Sequence, residues 1–119
     1  MSIVKIGIAP QDEIRRRVLG IAKGEIKPKP GDPKVWFTSM HSLAQVLSDE
    51  NRALLQVIRE SKPASISALA EMTGRHQGNL SRTLKTMSRY GLVEMRAGAL
   101  GGRTLRPVTR VRRFEIVAS

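Results

Sequence analysis

The sequence predicts a mainly α-helical chain with a small β-hairpin, a fold of the α+β class. From Met40 to Met87, apolar residues recur at helical spacing in segments separated by short turns. After Gly91 the apolar residues alternate with polar ones, and a glycine-rich tip separates two short stretches of this kind. Helical spacing is typical of amphipathic helices and alternation is typical of strands. With 119 residues, of which 40% are hydrophobic, the chain is long enough to form one core.

The first 38 residues predict a short strand and a helix, followed by a proline-rich linker. Residues 3–8 alternate as a strand does, and residues 11–23 have helical spacing with two acidic residues in the first turn. Residues 27–34 contain three prolines and one glycine, which predicts a loop. Residues 35–37 are a second, very short strand candidate.

Residues 39–119 predict four helices and then the hairpin. Serine precedes the second and third of these helices, where it is a favoured N-cap, and Gly91 ends the fourth. The expected elements are helices over about 40–47, 49–62, 66–72 and 77–90, a hairpin over 92–108 and a β-prone tail over 111–117. This order of elements, in which helices joined by a turn are followed by a hairpin, predicts a winged helix-turn-helix domain over residues 39–119. Residues 1–38 would be its short N-terminal strand-helix extension.

The chain carries a formal net charge of +11, and most of this surplus lies near its end. Residues 75–119 contain ten basic and two acidic residues, whereas residues 41–74 contain three basic and four acidic ones. Nine of those ten are arginine, which pairs bidentately with phosphates and with guanine edges. A concentrated surplus favours a polyanionic partner. A solvated basic surface, a ribosome and a membrane surface are the alternatives.

The helix over 77–90 has an apolar face and a basic face. At about 100° per residue, Leu84 and Met87 fall within about 40° of Leu80 on the helical wheel. On the opposite side, about 140–200° away, lie Gly78, Arg82, Lys85 and Arg89. A helix that reads the major groove needs this combination of a buried stripe and an outward basic face.

We therefore expect the chain to bind double-stranded DNA in a sequence-specific way. The helix over 77–90 would enter the major groove, and the hairpin over 92–108 would contact the backbone or the minor groove. Arg82, Lys85 and Gln77 are the residues expected to contact bases. The complete predicted DNA-binding set is Arg75, His76, Gln77, Gly78, Asn79, Ser81, Arg82, Lys85, Arg89, Arg96, Arg103 and Arg106.

A homodimer is also expected, because one domain of this size buries little DNA surface. Its interface would lie in the first 40 residues, which are apolar in part and carry a smaller basic surplus. The predicted dimer or partner residues are Ile6, Ile8, Ile14, Val18, Ile21, Trp36 and Phe37.

Three stretches resemble the MarR-type winged-helix signature: residues 66–74 (ISALAEMTG), 79–87 (NLSRTLKTM) and 91–93 (GLV). The chain as a whole resembles a family of short MarR-like transcriptional regulators. This resemblance implies a DNA-binding regulator, most simply a repressor. Some members of that family look like antitoxins of small protein toxins, so neutralisation of a toxin through residues 1–40 is an alternative. A non-specific architectural nucleic-acid-binding protein is a second alternative.

Other chemistries find little support in the sequence. The chain has no cysteine, and its two histidines, His41 and His76, lie far apart without acidic residues at ligand spacing, so no metal site is expected. The acidic pairs Asp12–Glu13 and Asp49–Glu50 lie at helix starts, where negative charges interact favourably with the helix dipole and stabilise the helix. No nucleophile and base can be paired, so we expect neither an enzyme nor a cofactor. No apolar run approaches the roughly 18 residues of a membrane span, and a cytoplasmic protein is expected.

Overall fold

The computed structural model describes residues 3–98 and 104–118, and the architecture is α+β, as the sequence predicts. The helices are α1 (Gln11–Ala22), α2 (Met40–Val46), α3 (Asp49–Ser61), α4 (Ile66–Thr73) and α5 (Gln77–Arg89). The strands are β1 (Ile3–Ile8), β2 (Val35–Phe37), β3 (Glu94–Ala97), β4 (Leu105–Val108) and β5 (Arg113–Ala118). All of the predicted helices are present, and their bounds agree within one or two residues.

The strands form two sheets. β3 and β4 make the expected antiparallel hairpin, which we call the wing. β1 is the central strand of a three-stranded parallel sheet, with β2 on one side and β5 on the other. In the β1–β5 register, Ile3 lies beside Arg113 and Ile8 lies beside Ala118. The N-terminal extension therefore shares a sheet with the end of the chain, a pairing that the sequence analysis does not predict.

One hydrophobic core joins the parallel sheet to the helices. Ile6 from β1 and Phe37 from β2 are 0% and 1% exposed, and they belong to the same cluster as the buried leucines of α3, α4 and α5. The Phe37 ring stacks on the Tyr90 ring at the end of α5, with the ring centroids 4.3 Å apart. The prediction of Ile6 and Phe37 as partner-facing residues is therefore wrong, because the fold uses both side chains to pack its own helices.

Helices α2, α3 and α4 each begin directly after a serine that caps them. The Oγ atoms of Ser39, Ser48 and Ser65 each accept a hydrogen bond from the backbone N–H three residues later, at 3.0–3.2 Å. Gly74 ends α4 in the left-handed region, with φ 70°, a conformation that glycine adopts without a steric penalty. These local features fix where α2, α3 and α4 begin and where α4 ends.

Helix α1 contacts the sheet through a cation–π interaction between Arg17 and Trp36. The Arg17 guanidinium lies 5.6 Å from the Trp36 ring centroid, and its Nη2 donates to Asp32 Oδ2 at 2.8 Å. The backbone N–H of Lys29 donates to the same carboxylate oxygen, also at 2.8 Å. The Lys29 N–H, and after it the Arg17 hydrogen bond, lower the pKa of Asp32. These contacts connect α1, the proline-rich loop and β2.

We expect Gly7→Ala to lower the free energy of unfolding by about 1–3 kcal/mol, the usual cost of overpacking. The Trp36 ring covers Gly7, and a Cβ atom there would lie 2.4–2.8 Å from three of the ring carbons. The ring would have to shift, which would disturb its contact with Arg17. Urea unfolding followed by Trp36 fluorescence measures the loss. Gly31→Ala is the matched control, since its Cβ would lie 3.8 Å from Lys5 Nζ, and an equal loss in both variants would contradict the prediction.

Candidate nucleic-acid interface

Helix α5 is fixed to the core by one stripe of side chains. Leu80, Leu84 and Met87 are each no more than 1% exposed, and all three belong to the main cluster. Leu92 and Val93, which follow the helix, are also buried in this cluster. The strand expected from residue 92 therefore begins only at Glu94, because these two residues anchor the start of the wing in the core.

The opposite side of α5 is open to solvent. Gly78, Arg82, Lys85 and Arg89 are all exposed, as the helical wheel predicts, and Ser81 on the flank is exposed as well. Within residues 3–98 and 104–118, none of the three basic side chains forms an ion pair. Their charge is thus uncompensated by the described part of the chain and is available to an anionic partner.

The start of α5 is shaped by His76. Its Nδ1 accepts a hydrogen bond from the backbone N–H of Gly78 at 3.1 Å, so the imidazole acts as the N-cap. A Cβ atom at residue 78 would lie 3.3 Å from this ring, and glycine therefore allows the cap to fit closely. The Oγ of Ser67 in α4 donates to Gln77 Oε1 at 3.2 Å, and the Gln77 side chain is exposed.

Arg75 differs from the predicted contacts on α5 because its side chain is half-buried. Its Nη2 donates to Asn79 Oδ1 at 2.8 Å, while its Nη1 is buried without a hydrogen-bond partner. Thr73 Oγ1 accepts the Arg75 backbone N–H at 3.3 Å and donates to the carbonyl of Leu69 at 2.8 Å. Arg75 therefore lies in the turn between α4 and α5 and orients Asn79, whose side chain is exposed.

The wing places two arginines side by side. Arg96 on β3 and Arg106 on β4 are directly opposite in the antiparallel register. Like charges in such a position destabilise a hairpin. Glu94 compensates in part, since its Oε2 lies 2.9 Å from Arg96 Nη2, but Arg106 has no ion pair among the described residues. An anion beside the wing would relieve this repulsion. The predicted contact Arg103 lies outside the described residues.

Four further basic residues lie near the base of the wing, and the sequence analysis does not assign them. Arg59 and Lys62, at the end of α3, line one cavity together with Arg110 and Arg112, which follow β4. For Arg110 and Arg112, the only indication in the sequence is the basic surplus of residues 75–119. The first pair belongs to the segment that is nearly neutral in sequence, so only the fold brings the four together.

The remaining predicted partner residues divide into two groups. Val18 and Ile21 on α1 are exposed, at 58% and 36%, and their neighbour Leu19 is 49% exposed. Ile8, Ile14 and Trp36 are half-buried, and Ile8 packs against the main core cluster. An apolar face on α1 is therefore open, whereas the strand residues are largely used inside the chain.

The described residues contain neither a cluster of metal ligands nor a membrane-spanning helix. Within residues 3–98 and 104–118, no three His, Asp or Glu side chains come together as the ligands of a metal ion would. None of the helices in the same described ranges has the length and apolar character required to cross a membrane.

The structure is that of a small α+β protein. Its helices α3, α4 and α5, followed by the two-stranded wing, are compatible with a winged-helix arrangement. The HVO_A0114 family model matches residues 46–116, which is more than half of the chain. The chain therefore belongs to the HVO_A0114 family. The matched region extends from the last residue of α2 into β5, and it includes α5 and the wing. No curated protein and no solved structure matches the chain.

Proposed function

We propose that this chain is a sequence-specific double-stranded DNA-binding regulator, most simply a repressor, in which α5 reads the major groove. The observation that carries the proposal is the outer face of α5. There Arg82, Lys85 and Arg89 are exposed and have no ion pair among the described residues, opposite the buried stripe. Arginine and lysine on such a helix hydrogen-bond to guanine O6 and N7 or to phosphates. At the start of the helix, His76 and Gly78 are both exposed and would lie beside the DNA backbone.

The wing supports the same proposal. Arg96 and Arg106 lie opposite one another on the ribbon, where their repulsion favours a bound anion. In a winged-helix arrangement, the hairpin contacts the phosphates or the minor groove beside the site read by the helix. Phosphate contacts set the register and orientation of the protein, while base contacts provide the specificity.

A homodimer is part of the proposal. Two copies related by a twofold axis would present two α5 helices to two half-sites, one helical turn of DNA apart or a multiple of it. The open apolar face of α1, with Val18, Leu19 and Ile21, supports this arrangement. Exposed apolar side chains that cluster on one helix are typical of an association surface.

Selection of bound sequences from a random duplex pool tests the proposal. We expect one common motif to be enriched and to bind at least about 10³-fold more tightly than a scrambled duplex at physiological salt. The structural reason is that exposed arginine and glutamine side chains on α5 can discriminate among base edges. Equal affinity for the selected and scrambled duplexes would contradict specific recognition. It would favour the non-specific architectural function, in which charge alone binds the backbone.

A further inference from the structure

A second basic site lies at the base of the wing, on different elements from the α5 face. It is a cavity of about 370 Å³ between the end of α3 and the segment that leaves β4. Five of its nine lining residues are basic, and none of these nine described residues is acidic. The basic residues are Arg59, Lys62, Arg106, Arg110 and Arg112. Only Arg106 also belongs to the set proposed to contact DNA.

The cavity has a firmly held wall, because the segment after β4 is tied back to the core. Thr109 is buried, and its Oγ1 donates to the carbonyl of Leu92 at 2.7 Å and accepts the backbone N–H of Val111 at 3.2 Å. Arg59 Nη1 donates to the carbonyl of Val111 at 2.9 Å, which fixes this guanidinium beside the opening. Arg110 and Arg112, on either side of Val111, are therefore held next to α3 rather than on a free tail.

Lys62 lies on the opposite wall, in an unusual backbone conformation. It ends α3 with φ 46°, and it is the only residue other than glycine with a positive φ in the described ranges. Glycine or asparagine is the usual residue at such a helix end, because a Cβ atom is disfavoured there. Here the position is occupied by a cation that lines the cavity.

The electrostatics of the cavity favour an anion. In the described part of the chain, Lys62, Arg106, Arg110 and Arg112 have no ion pair, and Arg59 approaches only Glu60, at 4.0 Å. Several like charges around one cavity repel one another, and a bound polyanion would convert this repulsion into attraction. None of the described lining residues is acidic, so no carboxylate in the cavity wall balances these positive charges.

The residue types and the volume indicate the class of ligand. Guanidinium groups match phosphoryl oxygens bidentately, and arginine is enriched wherever such groups are recognised. A volume of about 370 Å³ is at the lower end of small-ligand cavities, which span roughly 300–1,000 Å³. Five cations exceed what a single carboxylate would neutralise. We propose that this cavity binds phosphoryl groups and is large enough for a diphosphate.

Titration of the full chain with inorganic pyrophosphate, followed by calorimetry in the absence of DNA, tests this site. We expect saturable binding of one pyrophosphate per chain. The double variant Arg110→Ala, Arg112→Ala should weaken binding at least about tenfold, because it removes two charge-assisted contacts. Both side chains are exposed, so the variant is expected to fold, and circular dichroism verifies this.

The matched control is the double variant Arg15→Ala, Lys27→Ala, which removes the same charge from exposed positions on α1 and the loop after it. It should bind pyrophosphate within about twofold of the native chain, because distant surface charges are screened. An absence of saturable binding by the native chain would overturn the proposal. So would an equal loss in the control and in the cavity variant.

A second titration distinguishes the source of the phosphoryl group. If a duplex displaces the bound pyrophosphate, and the cavity variant also binds the duplex more weakly, the natural occupant is a phosphate of the DNA backbone. If pyrophosphate and duplex bind together, the occupant is a free phosphorylated ligand. Both results support a phosphoryl site. If the native chain binds pyrophosphate but no duplex, the phosphoryl site is supported and the proposed regulator function is rejected.

Discussion

Ile6→Ala is expected to lower the free energy of unfolding of the whole chain by about 2–5 kcal/mol, the usual cost of truncating a buried isoleucine. Ile6 is 0% exposed and lies on β1, the central strand of the parallel sheet. It belongs to the same core cluster as the leucines of α3 and α5. A cavity at this position would therefore destabilise the helices together with the sheet, even though residue 6 belongs to the N-terminal extension.

Two spectroscopic probes in one urea titration measure this prediction. Trp36 is the only tryptophan and reports on the sheet, whereas far-ultraviolet circular dichroism reports mainly on the helices. In a single cooperative unit, both transitions coincide and move to lower urea together. Ile3→Ala is the control on the same strand, since Ile3 is 39% exposed. Separate transitions, with only the Trp36 signal shifted, would show that the extension folds independently and would contradict the prediction.

Most of the helices and the wing could be predicted because their signals are local. The caps at Ser39, Ser48 and Ser65 bond within one turn, and the stripe on α5 repeats within the helix. The outward face of α5 follows from the same repeat, since a helix that buries one stripe exposes the other. Periodicity alone is therefore sufficient to place Arg82 and Lys85 on one exposed face.

The parallel sheet could not be predicted in the same way, because its pairing is non-local. Ile3 lies beside Arg113, almost the full length of the chain away. The tail over 111–117 is predicted to be β-prone, but β5 begins with charged residues and only three of its six residues are aliphatic, so its pattern does not indicate which strand it joins. Parallel neighbours need long connections, and short sequence patterns contain no information about their register.

The half-burial of Arg75 and the basic cavity depend on tertiary structure for the same reason. In sequence, Arg75 is one more cation before the α5 helix, but the α4–α5 turn encloses its guanidinium beside Asn79. Lys62 and Arg110 are nearly fifty residues apart, and they meet only because Thr109 and Arg59 hold the segment after β4 against α3. Charge counts indicate that cations are present, but the fold determines which of them act together.

The double variant Arg82→Ala, Lys85→Ala is expected to weaken binding to a selected duplex by roughly 2–6 kcal/mol, since each base or phosphate contact of this kind is worth about 1–3 kcal/mol. At the lower limit this is about 30-fold in Kd. Both side chains are exposed and form no ion pair in the described residues, so the free energy of unfolding should change little. Fluorescence anisotropy with the selected and scrambled duplexes measures the effect.

The comparison between duplexes separates the roles of the two residues. If Arg82 pairs with guanine, Arg82→Ala alone weakens binding to the selected duplex more than to the scrambled one, so the sequence preference relaxes. If Lys85 contacts a phosphate, Lys85→Ala weakens both equally and lowers the slope of log K against log salt by about one. The variant Arg15→Ala, Lys27→Ala has the same net charge as the α5 double variant. An equal loss of affinity in these two double variants would mean that total charge, rather than the α5 face, binds the DNA, and specific reading by α5 would then be rejected.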